Sequence, residues 1–122
     1  MGKKILIVDD ELDYAFMVQG RLEHNGYDVF IAEDGEEALK KATREKPDVI
    51  LLDILMPIMD GYTTLKKLKS QNETKDIPVI MFSAKGQPED LAQAKTFRAF
   101  DYIIKPFDPP ELLGKIEKAM KK

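Results

Sequence analysis

Five short apolar runs, at Ile5–Val8, Val29–Ala32, Val49–Leu52, Val79–Phe82 and Tyr102–Ile104, alternate with longer segments of helical period. Strands and helices in regular alternation are the pattern of consecutive βαβ units. Each run is nearly continuous in apolar residues, which implies burial on both faces of a sheet. Crossovers between parallel strands are right-handed, so the helices cover both sides, and the expected architecture is a three-layer α/β fold with five strands and five helices. A length of 122 residues with 43% hydrophobic content fits one such domain, spanning residues 1–122.

Four of the five runs end on residues that can do chemistry. Asp9 and Asp10 follow the first, Asp53 the third, Ser83 the fourth and Lys105 the fifth, while the run at Val29–Ala32 lacks such an end. In open parallel sheets, ligands bind outside the carboxyl ends of the strands. Three carboxylates, a hydroxyl and an amine are therefore expected to share one pocket, a set suited to a divalent cation and a phosphoryl group rather than to an apolar ligand.

The helical segments carry their own punctuation. Leu12, Ala15, Phe16 and Leu22 recur at helical spacing up to Asn25-Gly26, a left-handed stop. Asp34-Gly35-Glu36-Glu37 opens a second helix that buries Ala38, Leu39 and Ala42 and ends before Lys46-Pro47, because a residue preceding proline disfavours helical angles. A third helix is predicted over about Gly61 to Ser70 with Leu65 and Leu68 inward. A fourth, Pro88 to Phe97, has only a thin apolar stripe of Leu91, Ala94 and Phe97. The last is marked by Asp108 as cap, Pro109-Pro110 in the first turn and Glu111 three residues after the cap, with Leu112, Leu113, Ile116 and Met120 as its buried face.

Composition narrows the chemistry. No stretch approaches the ~18 apolar residues of a membrane span, and Met1-Gly2-Lys3-Lys4 leads into a strand-like run rather than a secretory segment, so a soluble, cytoplasmic protein without membrane contact is expected. The absence of cysteine and the single histidine, His24, exclude a thiolate nucleophile and a His-rich zinc site, leaving oxygen as the metal donor. A net charge of -3 offers no field for DNA, so no direct nucleic-acid binding is expected, and Lys66-Lys67-Lys69 and Lys121-Lys122 read as solvated faces.

Asp9-Asp10, Asp53, the run Met56-Pro57-Ile58-Met59-Asp60-Gly61, Ser83-Ala84 and Tyr102-Ile103-Ile104-Lys105-Pro106-Phe107 stand in the order and approximate spacing of one known family. The chain resembles a two-component response-regulator receiver domain along essentially its whole length. That resemblance implies a doubly wound, flavodoxin-like (βα)5 domain with a parallel sheet of order 2-1-3-4-5. It implies phosphorelay signal transduction, in which Asp53 accepts a phosphoryl group from a sensor histidine kinase or phosphotransfer protein in a magnesium-dependent reaction, with Mn2+ able to substitute. Such a domain is a phosphoacceptor that catalyses only its own aspartyl phosphorylation and dephosphorylation. By the same resemblance, Asp10 and Asp53 ligate the metal directly, Asp9 does so through water, the backbone carbonyl of Leu55 completes the protein ligands, and Lys105 contacts the phosphoryl group. Ser83 and Tyr102 are the implied switch residues, acting on the face formed by the 88–97 helix, the fifth strand and the last helix. A cis Lys105-Pro106 bond belongs to the same pattern. The implied output is a downstream protein or an attached output domain, with the chain a monomer or a phosphorylation-dependent dimer.

The need for a cation also has a direct physical reason. Asp9, Asp10 and Asp53 at neighbouring strand ends disfavour one another's ionised forms. Two unit charges ~5 Å apart at an effective dielectric of ~20 interact by roughly 3 kcal/mol, more than Lys105 alone relieves, so a hard divalent ion such as magnesium is expected.

Departures from the family pattern bear on rate and partner. Leu55, two residues beyond Asp53, has no polar group to orient an attacking water, and Lys85, two beyond Ser83, brings a cation to the pocket mouth, so a long-lived phosphoryl state is expected. Where receivers often carry Gly-Ala-Asp-Asp before the fifth strand, this chain has Arg98-Ala99-Phe100-Asp101, and Phe97 and Phe100 form either an apolar patch on the output face or part of the core. Three rival functions share parts of the pattern. A flavin-binding module is disfavoured because Asp9-Asp10-Glu11 repels a flavin phosphate. A phosphohydrolase with an aspartyl nucleophile would place it after the first strand and need more chain for a cap. A pseudo-receiver that only docks partners would not need the intact pocket. The chain is read either as a complete stand-alone receiver or as a domain excised from a longer regulator or hybrid kinase.

Overall fold

The computed structural model describes residues 3–54, 59–83, 92, 95–105 and 107–121. Its elements are β1 (Lys4–Val8), α1 (Leu12–His24), β2 (Asp28–Ala32), α2 (Gly35–Glu45), β3 (Val49–Asp53), α3 (Gly61–Ser70), β4 (Val79–Ser83), β5 (Asp101–Ile104) and α4 (Pro109–Met120). All five strands fall within one residue of the apolar runs. They form a single parallel sheet of order β2-β1-β3-β4-β5. The helix expected over 88–97 lies largely outside the described residues; within it Ala92, Lys95 and Thr96 are helical.

Strand periodicity divides the core in two, since successive side chains point to opposite faces. On one face Ile5, Ile7, Val49, Leu51, Ile80, Phe82 and Ile103 pack with Ala15, Val18 and Leu22 of α1 and with Leu112, Ile116 and Ala119 of α4. On the other, Leu6, Val8, Ile50, Leu52, Val79 and Met81 pack with Ala38 and Ala42 of α2 and Leu65 and Leu68 of α3. Full burial of each such aliphatic side chain contributes about 1.5–3 kcal/mol, which explains why the central strands tolerate no polar interruption before their last residue.

The turns hold the strand ends in register. Gly26 adopts φ 91° after α1, a conformation glycine takes without a Cβ clash. Asp34 caps α2 by accepting a hydrogen bond from the Glu37 N–H at 2.9 Å, and the Glu37 carboxylate accepts one from the Glu33 N–H at 2.6 Å. Lys46 closes α2 in the left-handed region (φ 51°), where its N–H donates to the Ala42 carbonyl as a C-cap. Asp60 caps α3 through the Thr63 N–H at 2.8 Å. Beyond α3, the buried Thr74 hydroxyl donates to the Leu68 carbonyl at 2.6 Å and ties the 71–76 turn to the helix.

Several readings of the helices are corrected. Phe16 is 55% exposed, because the inward stripe of α1 is Ala15, Val18 and Leu22 and Phe16 lies about 100° around the helix from Ala15. Leu39, Leu113 and Met120 are only half-buried, at the margins of their helix faces. Asp108 occupies the N-cap position of α4 but its side chain makes no capping hydrogen bond; the backbone carbonyl of Asp108 accepts from Glu111 and Leu112 instead. Of the two readings left open for Phe97 and Phe100, core packing is favoured, since both are half-buried against the core clusters.

Candidate functional site

Register brings the reactive strand ends together. Val8 pairs with Leu52 and Asp53 with Phe82, so Asp9, one residue past β1, stands level with Asp53, the last residue of β3. Ser83 pairs with Ile104, which places Lys105 just beyond the same edge. The Asp9 backbone is fixed by a hydrogen bond from its N–H to the Ala32 carbonyl at 3.0 Å. Its carboxylate accepts the Glu11 N–H at 2.9 Å on Oδ1 and Lys105 Nζ at 2.9 Å on Oδ2.

Asp9 is fully buried and Asp53 is 5% exposed, while Asp10 is exposed at the rim. A buried carboxylate is tolerable only when paired. Lys105 supplies that pairing: its three ammonium protons face Asp9, Asp53 Oδ2 at 3.4 Å and Glu11 Oε1 at 3.5 Å. The Lys105 ammonium also lies 4.4 Å from the centre of the Tyr14 ring and 5.2 Å from that of Phe82, within cation–π range. Phe107 packs edge-on against both rings at 6.0 Å, completing an aromatic collar that fixes the lysine stem. Burial works against the Lys105 charge, but the hydrogen bond to Asp9 and the charges of Asp53 and Asp9 outweigh it and hold its pKa above the usual lysine value. Burial likewise raises the Tyr14 phenol, a rise that Lys105 opposes and the neighbouring carboxylates reinforce.

One lysine does not balance three carboxylates. Asp9, Asp10 and Asp53 each offer an oxygen within 4.8 Å of the others. Opposite ligands of an octahedral magnesium ion lie about 4.2 Å apart, twice its ~2.1 Å bond, so this all-oxygen donor set fits a small hard cation after slight adjustment. Gly61 keeps the backbone at the end of β3 in place: its N–H donates to the Ile54 carbonyl at 2.8 Å, and a Cβ there would collide with the Asp53 carbonyl and lie 2.7 Å from Ile54 Cα.

The structure thus brings together Asp9, Asp10, Asp53 and Lys105 and sets the backbone of Ser83 at the same edge. The side chain of Ser83, and Leu55, Lys85 and Pro106 with the readings attached to them, lie outside the described residues. Tyr102 belongs to the core packing of β5. It is 8% exposed, on the face covered by α2 and α3. Glu11, Tyr14, Phe82, Phe107 and Gly61 were not anticipated as site residues. Glu11 could have been, since it extends the acidic pair at the first strand end by one residue.

An acidic, lysine-bridged pocket at the carboxyl edge of a doubly wound parallel sheet defines a phosphoacceptor class of signalling domain rather than a turnover enzyme. The response regulator receiver domain model matches residues 5–117, and the chain belongs to that family. Its general role is therefore phosphorelay, two-component signalling. The chain is 43% identical over its full length to the alkaline phosphatase synthesis transcriptional regulatory protein PhoP of Bacillus subtilis (strain 168), covering 50% of that protein. It spans about half the length of the curated relatives it matches. Among solved structures, a putative response regulator from Chloroflexus aurantiacus J-10-fl superposes with a TM-score of 0.95 at 34% identity, with both chains fully covered. The receiver domain of the sensor histidine kinase PA1611 from Pseudomonas aeruginosa PAO1 superposes at 0.92 with 28% identity over the whole of both chains, and holds a magnesium ion in its active-site cleft. Among the described residues of the present chain, no helix is long and apolar enough to cross a membrane.

Proposed function

We propose that Asp53 is the phosphoacceptor of a magnesium-dependent phosphorelay, and that a phosphohistidine of a sensor histidine kinase or phosphotransfer protein is its donor. The observation that carries this reading is the Lys105 ammonium held between Asp9 Oδ2 and Asp53 Oδ2, at 2.9 and 3.4 Å, beside three clustered carboxylates. A carboxylate oxygen of Asp53 attacks phosphorus, the new P–O bond forms as the P–N bond to the donor imidazole breaks, and the imidazole leaves and takes up a proton from water. Lys105 neutralises charge on the phosphoryl oxygens, and its aromatic collar keeps the ammonium aimed at that position. Asp10, Asp53 and, through water, Asp9 would hold magnesium with the Leu55 carbonyl; the bound ion supplies Lewis-acid neutralisation of the transferring group. Manganese is expected to substitute.

The Ser83 hydroxyl is assigned the readout of the new phosphoryl oxygens, and Tyr102 the report of that change to the face formed by the 88–97 helix, β5 and α4. Leu55 and Lys85 support a phosphoryl state lasting minutes to hours. Reduction with borohydride turns an aspartyl phosphate into homoserine. After incubation with acetyl phosphate and magnesium, homoserine at position 53 is the expected product. Conversion at Asp9 or Asp10 instead would reassign the acceptor.

A further inference from the structure

A second pocket lies at the opposite, amino-terminal edge of the sheet, where α3 ends and β4 and β5 begin. Its volume is about 430 Å3, within the ~300–1,000 Å3 range of small-molecule sites. Lys69, Lys75 and Arg98 line it with one acid, Asp76, while Pro78 and the half-buried ring of Phe100 supply apolar surface. Two of the cations donate to backbone carbonyls. Lys69 Nζ donates to the carbonyls of Lys75 at 3.1 Å and Ile77 at 2.9 Å, and Arg98 Nη2 reaches the Lys69 carbonyl at 3.5 Å. Among the described residues neither Lys75 nor Arg98 forms an ion pair.

Arg98 holds φ 66°, a left-handed conformation that glycine adopts without steric cost. A glycine would end the preceding helical turn equally well, but it would bring no guanidinium to the pocket. Strain held at a cavity rim is a pointer to function. We propose that this pocket binds a nucleoside phosphate. Lys69, Lys75 and Arg98 face its phosphate, Asp76 accepts from ribose hydroxyls, and the Phe100 ring and Pro78 take the flat base.

The test is an NMR titration of the chain in magnesium-free buffer with adenosine monophosphate, pyrophosphate and adenosine as separate probes. Adenosine monophosphate is expected to saturate below about 1 mM and to shift the amides of 69–76 and 98–100. Arg98→Gly and Lys75→Ala are each expected to weaken binding about tenfold, while Arg98→Gly unfolds at a temperature no lower than wild type because its strain is gone. No saturation by the nucleotide, unchanged affinity in both variants, or pyrophosphate binding as tightly as the nucleotide would each overturn the assignment.

Discussion

Lys105 Nζ lies 2.9 Å from Asp9 Oδ2, joining the residues that follow the last and first strands of the sheet, and the same ammonium reaches Asp53 at 3.4 Å. This contact partly offsets two buried carboxylates and, with Asp10 counted, leaves the acid cluster with two unbalanced negative charges, which one divalent cation would neutralise.

Magnesium is therefore expected to stabilise the fold. At about a hundred times its dissociation constant it adds about 2.7 kcal/mol, a rise of about 10 °C in the unfolding midpoint of a chain this size. Asp10→Asn is expected to lose most of that rise, yet to be at least as stable as wild type in chelator, because one of the repelling charges is gone. Thermal unfolding with magnesium and with chelator reads both.

Alkaline pH should weaken the fold through the same pocket. The folded pKa of Lys105 is raised above its ordinary 10.5 and that of Tyr14 above its ordinary 10.0. In both cases the folded state holds its proton longer than the unfolded state. Their stabilisation is complete below those ordinary values and is lost as pH rises through the folded pKa. Urea midpoints measured from neutral pH upward are expected to fall above about pH 10, with a shallower fall in Tyr14→Phe and in Lys105→Gln.

Gly61→Ala should damage the site without touching a charge. Its Cβ meets the Asp53 carbonyl and Ile54 Cα, which are backbone atoms and cannot rotate away. A loss of about 1–3 kcal/mol is expected, together with slower phosphoryl acceptance as Asp53 shifts. Wild-type stability and rate in this variant would show that the close approach is dispensable.

Ser83→Ala separates acceptance from response. The variant is expected to take up phosphoryl on Asp53 while losing most of the phosphorylation-dependent gain in partner affinity, about tenfold for one charge-assisted hydrogen bond of ~1.5 kcal/mol. Equal partner affinity for phosphorylated wild type and variant would remove Ser83 from the switch.

Much of this was legible in the sequence because apolar runs in a parallel sheet are bounded by their own chemistry. Asp53 and Ser83 could be read as strand ends since burial on both faces forbids such residues any earlier, and one register then gathers them with Asp9 and Lys105. What escaped reading depends on contacts between distant segments. The Tyr14, Phe82 and Phe107 collar draws on α1, β4 and the segment before α4, and no local pattern announces that these rings gather around one ammonium. Gly61 reads as an ordinary helix start until the backbone of Asp53 and Ile54, distant along the pattern, is found packed against it. Phe16 was misplaced because Ala15 and Phe16 are adjacent and composition alone does not say which belongs to the inward stripe.

The most direct measurement is the intact mass of the chain after incubation with acetyl phosphate, with and without magnesium, beside Asp53→Ala. A gain of one phosphoryl group that requires magnesium and vanishes in the variant is the expected result. An equal gain in Asp53→Ala, or none in wild type with magnesium while a phosphohistidine donor also transfers nothing, would contradict Asp53 as the working acceptor.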